Sequence, residues 1–291
     1  MLVKRYIALQ RVLSYSSFTK AARSLGCTQS SISQSISSLE DELNIVLLRR
    51  SRNGIELTPE GKEIYPFIDR MIRHYVAVVE QAEEVNHLVR GSITIGTLAS
   101  VTCHWMPELI QGFQRMYPNV KFSFKQGDYT SIEEWIKNGD VDFGFLAKSA
   151  VSDIHTEELK EGKMVAILPS NHRLSGRDVI RLRDISDDPF ILLETGSYSE
   201  VLEAFSDEGL EPNIKFRIHD DYTIMRMVEL GMAVSILAEL VLIDTHHDVR
   251  IKDLDPPLYR TISLGYTDMD SMSAASRRFI EYIRENIQGL P

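Results

Sequence analysis

Gln29, Ser30, Ser33 and Gln34 are short or amide side chains without charge, gathered within six residues. On one face of a helix, such groups fit the DNA major groove and offer donors and acceptors to base edges. A second set consists of hydroxyls. Ser100 and Thr102 lie in Leu98-Ala99-Ser100-Val101-Thr102, and Thr195 and Ser197 in Thr195-Gly196-Ser197; each segment follows an apolar strand pattern and precedes a helical one. Helix starts carry free N–H groups and a positive dipole end, so two of them facing each other would clamp a small anion. The same hydroxyls also serve as plain helix caps, and both readings stay open. Phe145, Lys148 and His219 are further candidates for the same pocket, and Lys148 or His219 favours an anionic ligand.

Other chemistry is weakly represented. Cys103-His104 is adjacent at a helix start, where neighbouring side chains point apart, so no thiol–imidazole pair is expected. His246-His247 lacks the spacing and acidic companions of a metal site. No phosphate-binding glycine loop, serine elbow or zinc-protease motif occurs. No catalytic residue, metal or cofactor is therefore assigned. With only Cys27 and Cys103, a disulfide framework is excluded.

The polar quartet needs a helix to display it. Ile32, Ile36 and Leu39 recur at steps of four and three, forming one apolar face over Thr28–Glu40. Thr28 supplies an N-cap, and packing of the stripe must hold a serine-rich helix together. Upstream, residues 17–26 read as a short helix capped by Thr19 and stopped by Gly26, so the pair forms a helix-turn-helix whose second helix reads DNA. Leu2, Tyr6, Leu9 and Leu13 predict a first helix beneath both. Downstream, Leu47–Arg50 and Ile55–Leu57 flank Asn53-Gly54 as a small wing, with Arg49, Arg50 and Arg52 at its tip to grip phosphates together with Thr19 and Thr28.

Charge follows the same division. The chain of 291 residues has a net charge of −10, yet residues 1–62 hold nine Lys/Arg against five Asp/Glu, a net +4, leaving −14 elsewhere. A basic head on an acidic body suits a DNA reader joined to another module. Thr58 and Pro59 then open a long helix whose Ile64, Ile68, Met71, Tyr75, Val78, Ala82, Val85 and Val89 make a heptad seam, with a kink expected at Pro66. Such a seam either pairs two chains or packs on the chain's own body; pairing is favoured, because a small head offers little surface to cover it. Neither an uninterrupted apolar signal segment nor an apolar run of about 20 residues is present, so the protein is expected to be cytoplasmic, with no membrane partner.

From Ser92 the pattern alternates strands and helices, which implies a mainly parallel α/β sheet in two lobes with a cleft at the strands' carboxyl ends. Expected boundaries are 1–58 for an all-α winged helix-turn-helix, 59–90 for the linker helix and 91–291 for a sensor. Lobe I comprises 91–161 and 267–291, and lobe II 162–266.

These residues resemble the LysR-type transcriptional regulators. The match runs through Ser17-Phe18-Thr19-Lys20-Ala21-Ala22, then Gln29, Ser33, Ile36, Leu39 and Glu40, then Leu57-Thr58-Pro59-Glu60-Gly61. It continues through Ser92-Ile93-Thr94-Ile95-Gly96, Met106-Pro107, Leu168–Leu174, Asp188–Glu194 and Val228–Val234. Ser30, Gln34 and Leu48 depart from it, standing where the family often has proline, arginine and phenylalanine. The resemblance implies a two-lobed sensor like a type 2 periplasmic binding protein, an effector contact at Ser100, and no enzymatic activity. It also implies double-stranded DNA as partner, a homodimer through the linker helix assembling into a homotetramer, and RNA polymerase contact. The peroxide-sensing disulfide of some relatives needs a second sensor cysteine, which is missing here. The competing readings are a ligand-independent or structural DNA-binding protein whose sensor only oligomerises, and a solute binder or enzyme with a vestigial head.

Overall fold

The structure, a computed structural model, describes residues 3–51, 54–85 and 91–291, without the side chains of 50, 51 and 80–85. Leu2, Arg52 and Val89, and the side chains of Arg50, Ala82 and Val85, lie outside the described residues. Contacts divide the chain into two compact units, Met1–Leu88 with Asp270–Ala274 and Val89–Met269 with Ala275–Pro291.

The first unit opens with α1 (Val3–Tyr15), α2 (Phe18–Ser24) and α3 (Gln29–Leu43). Ser17, not Thr19, caps α2: its hydroxyl accepts the Lys20 N–H at 3.3 Å, because Ser17 is the residue with extended backbone just before the first turn. Thr28 caps α3 by accepting the Ser31 N–H at 3.2 Å, and Asn44 in a left-handed conformation ends it. The stripe of Ile32, Ile36 and Leu39 is buried against Leu9, Val12, Ala21 and Ala22. The alanines matter because only small side chains let three short helices approach around one core.

Strands β1 (Leu48–Ser51) and β2 (Gly54–Leu57) pair antiparallel, Leu48 opposite Leu57 and Ser51 opposite Gly54. Helix α4 (Pro59–Val85) follows and runs unbroken through Pro66. Its first turns do not wait for a partner. Ile64, Tyr65, Ile68 and Ile72 pack on the core of the three helices. Of the seam read from sequence, Ile64 and Ile68 are thus taken by the head, while Met71, Tyr75 and Val78 are exposed, with Phe67, Val76 and Val79 exposed beside them.

The second unit contains β3 (Gly91–Thr97), α5 (Ala99–His104), α6 (Met106–Met116), β4 (Val120–Gln126), α7 (Tyr129–Asn138) and β5 (Phe143–Leu146). The long β6 (His155–Pro169) leads to β7 (Val179–Ile180), α8 (Leu182–Ile185), β8 (Phe190–Leu193), α9 (Glu200–Asp207), β9 (Ile214–Ile218), α10 (Asp221–Glu229) and β10 (Ser235–Ala238). Strands β11 (Val249–Leu254) and β12 (Leu258–Tyr266) and helix α11 (Ala274–Asn286) complete it.

One sheet has the order β4-β3-β5-β12-β6-β11-β7, with β10 also on β6; β8 and β9 form a separate parallel pair, tied to the segment before β10 by a Phe190–Val234 bridge. Strands β3, β4 and β5 are mutually parallel, as are β8 and β9, but β10 and β11 pair antiparallel with β6 and β12 antiparallel with β5, so the mainly parallel sheet expected from the alternating pattern is not what forms. The sheet as a whole is mixed. Strands β6 and β12 run antiparallel to each other and pass between the lobes, pairing Leu258 with Met164 at one end and Tyr266 with His155 at the other. Lobe I packs around Phe113, which meets Phe122 and Phe279 edge-on at 6.1 and 4.9 Å between ring centroids. Lobe II has two apolar layers, one either side of β6, around Phe205 and around Met225. No helix among the described residues is long and apolar enough to cross a membrane.

Candidate nucleic-acid interface and effector cleft

In the head, the buried stripe of α3 dictates what the opposite face shows. Gln29, Ser30 and Gln34 are exposed and Ser33 is half-buried. Thr28, also exposed, is occupied by its cap, with its Oγ1 2.9 and 2.8 Å from the hydroxyls of Ser30 and Ser31. Thr19 and Gln29 border one groove of about 360 Å³ together with Ser16, Ser17, Phe18, Gly54 and Ile55. The wing closes that groove because Gly54, at φ +120°, lets the hairpin lie against the turn after α1; a Cβ there would stand 3.1 Å from Ser16.

The wing's base is fixed by two side chains. Glu40 Oε1 accepts the N–H groups of Leu47 and Leu48 at 2.7 and 3.1 Å. Thr58 Oγ1 donates to the Val46 carbonyl at 2.6 Å and accepts the Gly61 N–H at 2.9 Å. Gly61 is needed because a Cβ would come within 2.5 Å of the Leu47 carbonyl. Arg49 is half-exposed and only loosely paired with Glu56 across the hairpin, at 3.5 Å. Arg50 is described as backbone alone, and Arg52 lies outside the described residues.

In the sensor, the segments leaving β3, β4, β8 and β9 converge on a cavity of about 350 Å³, at the carboxyl ends of parallel strands from both lobes. Ser100, Thr195 and His219 line it. Other expected residues do not. Thr102 turns back, its hydroxyl donating to the Leu98 carbonyl at 3.0 Å. Phe145 is fully buried in the lobe I core, edge-on to Trp105 at 6.2 Å, because every residue of β5 is interior. Lys148 is exposed, pairs with Glu158 at 3.3 Å and does not line the cavity. Ser197 lies in the loop before α9, which starts only at Glu200 with Ser199 as its cap; neither Thr195 nor Ser197 opens a helix. Thr195 instead donates to the Tyr198 carbonyl at 2.6 Å.

That loop bridges the lobes. Tyr129 N–H donates to the Thr195 carbonyl at 3.1 Å, and Ser197 N–H to Thr130 Oγ1 at 2.9 Å. Gly196 makes the approach possible: at φ +96°, a Cβ would stand 2.5 Å from Thr130 Oγ1. Deeper, Tyr129 Oη donates to the buried Glu200 at 2.8 Å, and burial pushes the tyrosine hydroxyl well above its usual range.

The principal cation of the cavity is Arg260, on β12, absent from the residues expected above. It is 7% exposed; Nη2 donates to Ser100 Oγ at 3.2 Å, and Nε has no partner. Its signal in the sequence was parity: Arg260 shares the inward face of a strand with the buried Ile262 and Leu264, an unusual place for an unpaired charge. Asp221, at the start of α10, was missed because an Asp220-Asp221 pair reads as capping. Asp220 does cap, accepting the Thr223 N–H at 2.8 Å. Asp221 does not: its Oδ1 is buried without a partner, and burial lifts its carboxyl to about 6.

No group of side chains suited to a metal occurs among the described residues. His247 is instead held by Glu229, 2.9 Å from its Nδ1.

Residues 4–62 match the family described as "Bacterial regulatory helix-turn-helix protein, lysR family", and residues 86–288 match the LysR substrate binding domain. The uncharacterized HTH-type transcriptional regulator YvbU of Bacillus subtilis (strain 168) is 30% identical over 272 residues, covering 92% of this chain and 93% of its own. Among solved structures, HinK, a LysR family transcriptional regulator from Pseudomonas aeruginosa, superposes with a TM-score of 0.60 at 26% identity over 98% of both chains. The effector binding domain of QuiR, solved in complex with shikimate, gives 0.63 at 25% identity over 69% of this chain and 98% of that one. With a reading head, a two-lobed sensor of the periplasmic-binding type and both family matches along its length, the chain belongs to the LysR-type transcriptional regulators, which are DNA-binding proteins and not enzymes.

Proposed function

We propose that this regulator responds to a small effector carrying an anionic group, held between the sensor lobes. The observation that carries the reading is Arg260, a buried guanidinium bonded to Ser100 at the carboxyl ends of the strands. Arg260 takes the place that the sequence reading gave to Lys148, with His219 also at the cavity wall. QuiR, similar in fold, holds shikimate in its effector-binding domain.

The head reads operator DNA through Gln29, Ser30, Ser33 and Gln34 on α3, while Thr19, Thr28 and the wing arginines Arg49, Arg50 and Arg52 engage phosphates. Residues 1–58 form this head, 59–90 the linker and 91–291 the sensor. Two chains pair through the exposed apolar residues of α4, and sensors join pairs into a tetramer, which then meets RNA polymerase. Tethering raises the effective concentration of each weakly basic head.

The test is a thermal-shift screen of the full chain against small acids, with operator binding followed by fluorescence anisotropy. A ligand that binds only the folded state raises Tm by mass action. A hit that Ser100→Ala abolishes, and that changes operator binding, supports the reading. Intact DNA binding with no ligand response would favour a sensor that serves assembly alone.

A further inference from the structure

The polar atoms around the cleft are not satisfied evenly, and the imbalance describes the missing molecule. Four carboxylates line the cavity, Asp128, Glu194, Asp220 and Asp221, against Arg260 and His219. Three are occupied: Asp128 accepts the Ser131 N–H at 2.8 Å, Asp220 caps α10 through Thr223, and Glu194 pairs with Arg217 at 3.2 Å. Asp221 keeps a buried oxygen with no partner, and Arg260, more than nine-tenths buried, keeps its Nε free. No ion pair joins Arg260 to Asp221 among the described residues, although both line the same space.

Burying a charge without a partner is costly, so an unjoined buried cation and anion mark where a ligand completes the pairing. A simple carboxylate answers Arg260 and Ser100 but brings a second negative charge towards Asp221. A simple amine answers Asp221 and is repelled by Arg260. We infer that the effector is a zwitterion, an amino acid whose carboxylate meets Arg260 and Ser100 and whose ammonium meets Asp221. This deepens the reading of the cleft as the effector site and rests on it. The raised Asp221 carboxyl agrees: burial lifts it, and the charge of Arg260, felt across the cavity without an ion pair, offsets that only in part. A cavity of about 350 Å³ holds an amino acid with a side chain, and Leu98 and Leu193 give that side chain apolar wall.

The experiment is calorimetric titration of the full chain at pH 7.5 with individual L-α-amino acids and ω-amino acids. Each is compared with its hydroxy acid, which lacks the ammonium, and its amine, which lacks the carboxylate. The inference expects at least one amino acid to bind at least tenfold more tightly than both analogues. Asp221→Asn, which keeps the shape of the side chain, should weaken that amino acid at least tenfold while its hydroxy acid binds no more weakly than before. The wild-type comparison stands on its own should the variant fold poorly. Hydroxy acids or other plain carboxylates binding as well as the amino acids would overturn the zwitterion while leaving the effector cleft in place. Silence from every amino acid overturns it as well. Silence from every acid in the thermal-shift screen, with operator binding intact, overturns both readings.

Discussion

Asp221 places a titration where few carboxyls have one. Its folded-state value of about 6 lies above the ordinary 3.8, so the folded state holds a proton that the unfolded chain releases between those values. That stabilising contribution is complete below about pH 4 and is lost as pH rises through 6. Asp221→Asn should therefore raise the unfolding free energy at pH 8, by up to about 3 kcal/mol, and change little at pH 4, as urea melts at the two values would show. Equal effects at both would mean that burial does not set this carboxyl. The pair Arg260–Asp221 also shows where a sequence runs out. Ser100 was legible as a hydroxyl after a strand, and Thr28 as a cap, because both are local patterns. The neighbour of Ser100 lies 160 residues away, and only the register of β12 against β6 puts it there. Phe145 and Lys148 went astray for the same reason: position after a strand does not say which way a side chain faces.

Among elements, the wing hangs on Glu40. Replacing it by Gln keeps one acceptor oxygen but removes its charge from two backbone N–H groups, and the head should lose about 1–2 kcal/mol, read as a lower Tm of the full chain. An unchanged Tm would show that the hairpin is held by packing alone. In the sensor, Gly196→Ala combines a disfavoured φ with a clash at Thr130, and a loss of about 1–3 kcal/mol in urea denaturation is expected. Helices α1 and α3 were readable because periodicity and capping act over a few residues, whereas β7 and β11, pairing with each other and through β11 with β6 across the chain, carry no local pattern of that kind. The start of α9 was not readable either: Ser197 and Ser199 are equally good caps on paper, and the contact of the Ser197 N–H with Thr130 reserves that segment for the bridge between lobes.

For the whole molecule, the division into a helical reader and an α/β sensor followed from the change of pattern near Gly91 and the change of charge. Of the heptad seam, Ile64 and Ile68 belong to the head's own core, which leaves Met71, Tyr75 and Val78 exposed. What remains exposed sets the association prediction. Val78→Asp places a charge on a residue 67% exposed and away from the head core, so folding should be unaffected while the particle mass in analytical ultracentrifugation falls. Operator affinity should then fall as the tether between heads is lost. A mass unchanged by the substitution would assign pairing to another surface.

Among the described residues, the link from Glu40 to the wing and the approach of Gly54 to the turn after α1 tie reader helix and hairpin into one body. Reader helix and hairpin move as a single stamp. Such a head has no slack with which to follow a half-site of altered width, so variation among operators has to be absorbed by the distance and rotation between stamps. Promoters under one such regulator are then free to drift in their spacers and held strictly in the few base pairs beneath each stamp.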